Sequence, residues 1–149
     1  MRYSKLMKER IRRVRVLFKE LGYDIFDGET EEGSYHAGFE GENGYEGSFY
    51  IDQDSKFLEL AYTFSFSSRM TLFVRDKLDE MLKICYEFGC YLNVQKSDEI
   101  MFTVFSKIYF AGLNYYSLKE TLKDFTGCID SLRDLIEIVK EGGNIHEGS

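Results

Sequence analysis

The chain has 149 residues and a formal net charge of −7, and 44% of its residues are hydrophobic while 30% are charged. This composition excludes a disordered chain. The absence of an apolar run near the roughly 18 residues that a membrane span needs excludes a transmembrane helix. The length favours a single domain over residues 1–149, and three cysteines, an odd number, favour a reducing cytoplasm over a disulfide framework.

Charge is distributed unevenly along the chain. Residues 1–20 contain eight Lys or Arg and two Asp or Glu, whereas residues 21–55 contain ten acidic residues and no Lys or Arg. Because a nucleic-acid binder needs a positive footprint, the net acidity makes nucleic acid an unfavourable partner.

The first segment is typical of an amphipathic helix from about Ser4 to Leu21. Apolar side chains recur at spacings of three and four residues, which places them on one helical face; they are Met7, Ile11, Val14, Phe18 and Leu21. Gly22 follows where a left-handed C-terminal glycine belongs. We interpret the acidic, glycine-containing residues 23–33 as a connection.

Strict alternation of apolar and polar side chains predicts three strands next. They centre on Tyr35–Phe39, Phe49–Ile51 and Leu58–Phe66. Asn43-Gly44 predicts a hairpin turn in which both residues have positive φ.

A second helix is predicted over about Thr71 to Phe88, with Ser67, Ser68 or Thr71 as its cap and Gly89 at its end. A second strand pair follows, at Tyr91–Gln95 and Ile100–Phe110. The last helix is predicted to begin with a capping box of Ser117 and Glu120 and to end at Gly142-Gly143. Its apolar stripe steps by three and four residues through Leu118, Leu122, Phe125, Ile129, Leu132, Ile136 and Val139. Residues 144–149 are then expected to form a flexible tail.

These elements predict an α+β fold in the order α-β-β-β-α-β-β-α. We expect a mostly antiparallel sheet of about five strands with three helices packed on one face. The other face should be partly exposed and carry aromatic side chains, which favours a homodimer.

The first helix carries the candidate binding residues, which we call the basic stripe: Lys5, Lys8, Arg12, Arg15 and Lys19. At 100° per residue they fall within about 80° of one another, nearly opposite the apolar face. The stripe is typical of a solvated helix face. It is also typical of a surface for an acidic segment of a partner, a phosphate backbone or an anionic membrane. A further alternative is attraction to the acidic segment of this chain or of a second copy.

Catalytic chemistry has little support in the sequence. The two histidines, His36 and His146, have no plausible nucleophile near them in sequence. Cys85, Cys90 and Cys128 have neither Cys-x-x-Cys spacing nor a histidine cluster, so we interpret them as structural. We therefore expect no catalytic residue, no cofactor and no metal ligand.

Two further patterns suggest ligands without completing a known site. Gly38, Gly41, Gly44 and Gly47 recur every third residue, but interleaved glutamates and the absence of Gly-Lys-Ser/Thr disfavour a phosphate loop. Asp52 and Asp54 begin like an EF-hand, whose sixth and twelfth positions would be Phe57 and Thr63, so we reject that site. A weak cation site there stays an alternative.

Several stretches resemble a known family in residue type and spacing. They are Tyr91-Leu-Asn-Val, Ile100-Met-Phe-Thr-Val-Phe, Ser117-Leu-Lys-Glu, Gly47-Ser-Phe-Tyr-Ile-Asp-Gln-Asp and Phe57-Leu-Glu-Leu. Together with the element order, the length and the acidity, they resemble the YbjN-like family of proposed bacterial sensory transduction regulators and the fold of type III secretion chaperones. The strongly basic first helix departs from a typical secretion chaperone.

The resemblance implies a non-catalytic bacterial protein-binding module, chaperone-like or regulatory, that forms a homodimer. Its partner would be another protein or an acidic peptide segment. One alternative is an enzyme that binds a small molecule or phosphate at the glycine-rich hairpin. Another is weak nucleic-acid binding through the basic first helix.

Overall fold

A computed structural model describes the backbone of residues 4–147 and the side chains of residues 4–137. The helices are α1 (Lys5–Glu20), α2 (Thr71–Glu87) and α3 (Tyr115–Glu147). The strands are β1 (Tyr23–Glu31), β2 (Ser34–Gly41), β3 (Glu46–Asp52), β4 (Phe57–Phe66), β5 (Tyr91–Lys96) and β6 (Ile100–Tyr109). Short 3-10 helices at Ser68–Met70 and Phe110–Gly112 lead into α2 and α3.

The strands form one sheet in the order β1-β2-β3-β4-β6-β5. The four pairings whose register is described are antiparallel. The α+β class and the three helices predicted from the sequence are therefore confirmed. The sheet has six strands rather than about five, and β1 and β5 lie at its edges.

The additional strand is β1, in the segment that we predicted to be a connection. Tyr23 and Ile25 pair with Gly41 and Phe39 of β2. All six residues of β1 that follow Ile25 are exposed. The alternation of apolar and polar side chains is therefore too short to be recognised in the sequence. Its turn is unusual as well, because Glu32 adopts positive φ together with Gly33, and glutamate is not a typical residue for that conformation.

The turn between β2 and β3 also differs from the prediction. Gly44 has φ of +84°, but Asn43 is not among the residues with positive φ. The Gly44 amide instead donates to the Gly41 carbonyl over 3.0 Å, and the Asn43 side chain accepts from the Tyr45 amide. The connection is a four-residue loop over 42–45 because Asn43 caps it as an Asx-turn.

The described chain groups into two compact units. One contains the described residues up to Tyr62 together with Ser106–Lys123, and the other contains Thr63–Phe105 together with the residues from Asp124 onward. The single-domain organisation stays a prediction.

The core of the first unit lies between α1 and one face of β2 and β3. The Phe18 ring lies 4.9 Å from the Phe39 ring and 5.1 Å from the Phe49 ring, between centroids. All three side chains are fully buried. Leu17 is buried and Ile11 is only half-buried, so the buried stripe turns slightly away from the predicted one. Ser4 accepts from the Met7 amide and caps α1.

In the second unit, α2 buries Val74, Met81 and Cys85. Gly89 ends this helix with φ of +70°, as predicted. The predicted side-chain cap is wrong: Met70 occupies the N-cap of α2, and the Thr71 hydroxyl donates to the Ser68 carbonyl instead. The 3-10 turn before α2 makes this possible, because it already satisfies the first amides.

The start of α3 corrects a second capping prediction. The reciprocal pair is Asn114 and Ser117: the Asn114 side chain accepts from the Ser117 amide, and the Ser117 hydroxyl accepts from the Asn114 amide, both over 2.9 Å. The helix begins at Tyr115, three residues earlier than a Ser117 cap would allow. It buries six side chains of the predicted apolar stripe, and Thr126 and Cys128 in addition; the six are Leu118, Leu122, Phe125, Ile129, Leu132 and Ile136.

The far end of α3 extends beyond the predicted stop. The helix includes Gly142 and Gly143 and runs to Glu147. Val139, the last residue of the predicted apolar stripe, lies beyond the described side chains. The flexibility of residues 144–149 stays a prediction.

Candidate functional site

A groove of about 700 Å³ lies between α1 and the edge strand β1. This volume is within the range of a ligand or peptide pocket, about 300–1,000 Å³. Its walls combine cationic, apolar and tyrosine side chains. The lining residues are Lys8, Ile11, Arg12, Arg15, Val16, Lys19, Tyr23, Asp24, Ile25 and Tyr35.

Four of the five residues of the basic stripe line this groove, and Lys5 lies beyond it. All five are exposed. Among the side chains of residues 4–137, no carboxylate lies within 4.0 Å of a stripe nitrogen. The acidic segment of the same chain therefore does not neutralise the stripe by direct ion pairing.

Arg15 is the stripe residue that makes a hydrogen bond within the protein. Its Nη1 donates to the Tyr35 hydroxyl oxygen over 3.0 Å, and Tyr35 is only 5% exposed. A guanidinium has five N–H donors. One is used by Tyr35, so the others can meet an anion in the groove while the ring below fixes the position of the side chain.

Two other arginines of α1 have a structural role. Arg10 donates to the Ser55 carbonyl over 3.0 Å and lies 4.3 Å above the Phe110 ring. Arg13 donates to the Leu113 carbonyl. Arg10 and Arg13 therefore hold α1 in place, whereas the side chains of the basic stripe are exposed to solvent.

The opposite wall of the groove is the edge of the sheet. An edge strand presents backbone N–H and C=O groups that can pair with an added segment. Val16 is 43% exposed and supplies apolar surface beside this edge strand. On the strand itself, burial raises the pKa of Tyr23. The regular part of β1 ends at a bulge between Phe26 and Glu29, where Asp27 has φ of +54°.

The sheet face that points away from α1 is acidic. In antiparallel pairs, directly opposed residues share a face, and Asp24, Glu40 and Glu46 oppose one another across β1, β2 and β3. A second row contains Glu29, His36, Tyr50 and Glu59. We call the five carboxylates Asp24, Glu29, Glu40, Glu46 and Glu59 the acidic face.

The second row contains polar and ring contacts. His36 Nε2 lies 3.3 Å from Glu29 Oε2, and the His36 and Tyr50 rings stack with centroids 5.7 Å apart. The pKa of Glu59 is raised, first by burial and then by the charge of Asp52, while Lys107 acts in the opposite direction. His36 is thus a strand residue, as expected from the sequence.

The glycine-rich hairpin is shaped by ring packing. A Cβ on Gly38 would lie 2.5 Å from the Phe26 ring, and one on Gly47 would lie 2.7 Å from the Phe39 ring. At Gly41 the Tyr23 ring would be 2.9 Å away. Aromatic rings therefore occupy the space beside these three glycines, where a phosphate would have to approach the backbone.

The three cysteines are free and buried in the second unit. Cys128 Sγ lies 3.8 Å from Cys85 Sγ. The pKa of Cys128 is raised because its thiol donates to Cys85, because Cys90 lies nearby and because it is buried. These environments agree with the structural role predicted for the cysteines.

A second cavity, of about 620 Å³, is lined by Glu32, Gly33 and the turn Asp52–Ser55. Within the described residues, no three His, Cys, Asp or Glu side chains are arranged to hold a metal ion. In the same part of the chain, no helix has the length and apolar character of a membrane span. Cytoplasmic localisation stays a prediction.

Sequence comparison identifies no relative: no protein-family model matches the chain, and no curated protein matches it. Solved structures do match. The crystal structure of an uncharacterized protein from Methanothermobacter thermautotrophicus is similar with a TM-score of 0.66 and 14% identity, covering 91% of this chain and 97% of that one. This similarity shows that the two chains share a fold.

The crystal structure of YbjN, a proposed transcription regulator from E. coli, also matches, with a TM-score of 0.48 and 13% identity. The match covers 92% of this chain and 93% of YbjN. The family that the sequence resembles therefore has a namesake among the matched structures. The resemblance to type III secretion chaperones stays a prediction.

Proposed function

We propose that the chain is a non-catalytic protein-binding module that holds an acidic segment of a partner in the groove between α1 and β1. The observation that carries the proposal is the lining of this groove by Lys8, Arg12, Arg15 and Lys19. None of them has a carboxylate within 4.0 Å among the described side chains. Charge complementarity of this kind favours an acidic partner and accelerates encounter.

The dimensions of the groove favour an extended partner segment. Lys8 and Lys19 are eleven residues apart, which is about 16 Å along a helix. An extended peptide spans this distance with about five residues. The adjacent edge of β1 offers backbone hydrogen bonds from Tyr23 to Phe26, before the bulge. A peptide that alternates acidic and apolar residues fits both walls.

The non-catalytic part of the proposal is supported by the surroundings of the candidate groups. His36 contacts Glu29 and Tyr50 on a sheet face, and the cysteines are buried. The homodimer expected from the sequence is also a proposal, and light scattering that gives the mass of one chain at tens of micromolar would contradict it.

A binding experiment tests the function directly. The probe is a fluorescent eight-residue peptide alternating Glu and Val, measured by anisotropy at low salt, with a Gln-Val peptide of the same length as its control. The double variant Lys8→Glu, Arg12→Glu should bind the Glu-Val peptide at least tenfold more weakly, a change of about 1.4 kcal/mol. The variant Arg75→Glu, Lys83→Glu has the same net charge but changes exposed residues of α2, and it should bind normally.

Three outcomes would contradict the proposal. The Gln-Val peptide could bind as tightly as the Glu-Val peptide, or the α1 variant could retain wild-type affinity. A single-stranded oligonucleotide could bind more tightly than the acidic peptide, with a steep dependence on salt, which would favour nucleic-acid binding through α1.

A further inference from the structure

We propose that the acidic face of one copy of this chain binds the basic stripe of a second copy, so that the chain associates head to tail. The inference goes beyond the proposed function, because the occupant is the chain itself rather than a different protein. It rests on two oppositely charged surfaces in the first unit, each of which is incompletely neutralised.

The acidic face contains carboxylates that oppose one another directly. Glu40 lies opposite Asp24 on one side and opposite Glu46 on the other. Like charges in this arrangement destabilise a sheet. All three side chains are exposed, and no Lys or Arg nitrogen from residues 4–137 lies within 4.0 Å of them. Cations from a second molecule would relieve this repulsion.

The second row adds surface that suits arginine. The stacked rings of His36 and Tyr50 lie between Glu29 and Glu59. A guanidinium can lie on an aromatic ring while it pairs with a carboxylate. Lys107 is the cation nearby, and it lies 4.5 Å above the Phe57 ring. The pKa of Glu59 is raised first by burial, and the charge of Asp52 raises it further.

The two surfaces have similar lengths. The basic stripe extends about 16 Å from Lys8 to Lys19. The row from Glu29 on β1 to Glu59 on β4 crosses three inter-strand spacings, or about 14 Å. A helix that lies across the strands can therefore place successive cations near carboxylates on different strands.

Pairing of two β1 edges would not bring these charges together. Asp24 and Glu29 lie on the face opposite α1, since they pair with Glu40 and His36 rather than with the buried Phe39. In an antiparallel continuation of the sheet, the β1 of a second copy would present its carboxylates on that same face. Such a pairing would leave the acidic face and the basic stripe on opposite sides of the sheet, apart from Asp24, which also lines the groove, so helix-on-face docking is the arrangement that joins opposite charges.

The geometry also sets the kind of assembly. α1 packs on one face of the sheet through Phe18, and the acidic face is the other. One partner copy cannot engage both surfaces at once, so the contact is heterologous. The first product is an asymmetric dimer, and its two open ends allow longer assemblies at higher concentration.

Sedimentation velocity of the full chain tests the inference, from 5 to 200 μM in 20 mM and 500 mM NaCl. In low salt the mean mass should rise with concentration, and 500 mM NaCl should abolish the rise because it screens exposed charges. The variant Lys8→Glu, Arg12→Glu and the variant Glu40→Lys, Glu46→Lys should each associate at least tenfold more weakly. An equimolar mixture of the two should associate again. The intact stripe of the second variant meets the intact acidic face of the first, and the acidic stripe of the first meets the basic face of the second.

Matched variants on α2 control for net charge: Arg75→Glu, Lys83→Glu and Asp76→Lys, Glu87→Lys should behave like wild type. If Glu40→Lys, Glu46→Lys fails to fold by circular dichroism, the neutral variant Glu40→Gln, Glu46→Gln replaces it, with weaker association expected. A wild-type chain that stays monomeric at 200 μM in low salt would overturn the inference, as would a mixture that fails to associate. Either result leaves the acidic-peptide experiment unaffected.

Discussion

Arg15 on α1 donates a hydrogen bond to the hydroxyl oxygen of Tyr35 on β2, over 3.0 Å. The bond joins the basic stripe to the sheet at the base of the groove. A Cβ on Gly28, in the bulge of β1, would lie 2.5 Å from the same hydroxyl oxygen. Helix, sheet and edge strand therefore meet at one phenol, which places a cationic side chain beside a strand edge.

Replacing Tyr35 by Phe removes the acceptor for Arg15 and keeps the buried ring. We expect a loss of about 1 kcal/mol in the free energy of unfolding, typical for one hydrogen bond. Affinity for the Glu-Val peptide should fall about threefold, because Arg15 loses its fixed position. Urea denaturation and anisotropy measure the two effects. The control is Tyr50→Phe, which removes a hydroxyl on the opposite face and should leave peptide affinity unchanged. An equal loss of peptide affinity in Tyr50→Phe would contradict the assigned role of Tyr35.

Gly28→Ala should destabilise the chain through the same contact. The added methyl group would overlap the Tyr35 hydroxyl, so the bulge or the ring must shift at a cost of about 1–3 kcal/mol. Gly112→Ala is the matched control, because a Cβ at Gly112 meets nothing within 4 Å and its φ is not positive. Thermal unfolding should show a lower Tm for the first variant alone, and equal Tm values would argue against close packing at Gly28.

Phe18→Ala tests the core of the first unit. Phe18 is fully buried and contacts the rings of Phe39 and Phe49. Its removal should cost about 3–5 kcal/mol in the free energy of unfolding, as expected for a buried aromatic side chain. Val16→Ala, on the exposed side of the same helix, should change it by less than about 0.5 kcal/mol. Denaturant titrations measure both losses. If Val16→Ala lost more stability than Phe18→Ala, the assignment of the buried helix face would be wrong.

Glu59 predicts a particular dependence of stability on pH. Burial and the charge of Asp52 raise its folded-state pKa above the ordinary value of 4.5. The folded chain therefore binds this proton more tightly than the unfolded chain, and this residue's contribution to stability increases as pH falls from neutral through the folded pKa. The increase is complete below the unfolded pKa.

Glu59→Gln removes that dependence. At neutral pH we expect a gain of about 0.5 kcal/mol, the size of an unfavourable cross-strand pair, together with a flatter curve of stability against pH just above 4.5. The control variant Glu42→Gln changes an exposed residue of the loop between β2 and β3, and its curve should have the wild-type shape. A destabilised Glu59→Gln at neutral pH would contradict the assigned electrostatics.

The cysteines predict slow thiol chemistry in the folded state. All three are buried, and the raised pKa of Cys128 keeps that thiol protonated near neutral pH. Labelling with a thiol reagent such as DTNB should be slow in buffer and rapid for three thiols in guanidinium chloride. Rapid labelling of even one cysteine in the native protein would show that the second unit opens readily.

Long periodic segments in the sequence predicted the helices and most strands correctly. The alternation in β2 and β3 and the spacing of three and four in α3 bury the expected side chains. In β4 the expected Leu58, Leu60 and Phe66 are buried, whereas Tyr62 and Phe64 are half-buried. Local signals were less informative at the ends of elements. Asn114 rather than Glu120 pairs with Ser117, because helix starts depend on backbone conformation that residue type alone does not fix.

The position of the basic stripe follows from helical periodicity, whereas its surroundings follow from tertiary contacts. Helical periodicity alone placed Lys5, Lys8, Arg12, Arg15 and Lys19 on one face, since the angle between residues of a helix is fixed. The partners of these side chains, and the use of Arg10 and Arg13 as internal anchors, required contacts with residues up to 100 positions away. The acidic face likewise depends on strand register, which places Asp24, Glu40 and Glu46 side by side.

The sequence by itself thus determined the fold class, the amphipathic faces and the cationic character of α1, because these follow from local periodicity and composition. Only the tertiary structure decided that residues 23–31 form an edge strand and that the stripe borders a groove. It also decided that carboxylates cover the opposite face of the sheet. These features depend on pairing between distant segments, where burial and register rather than local propensity select the conformation.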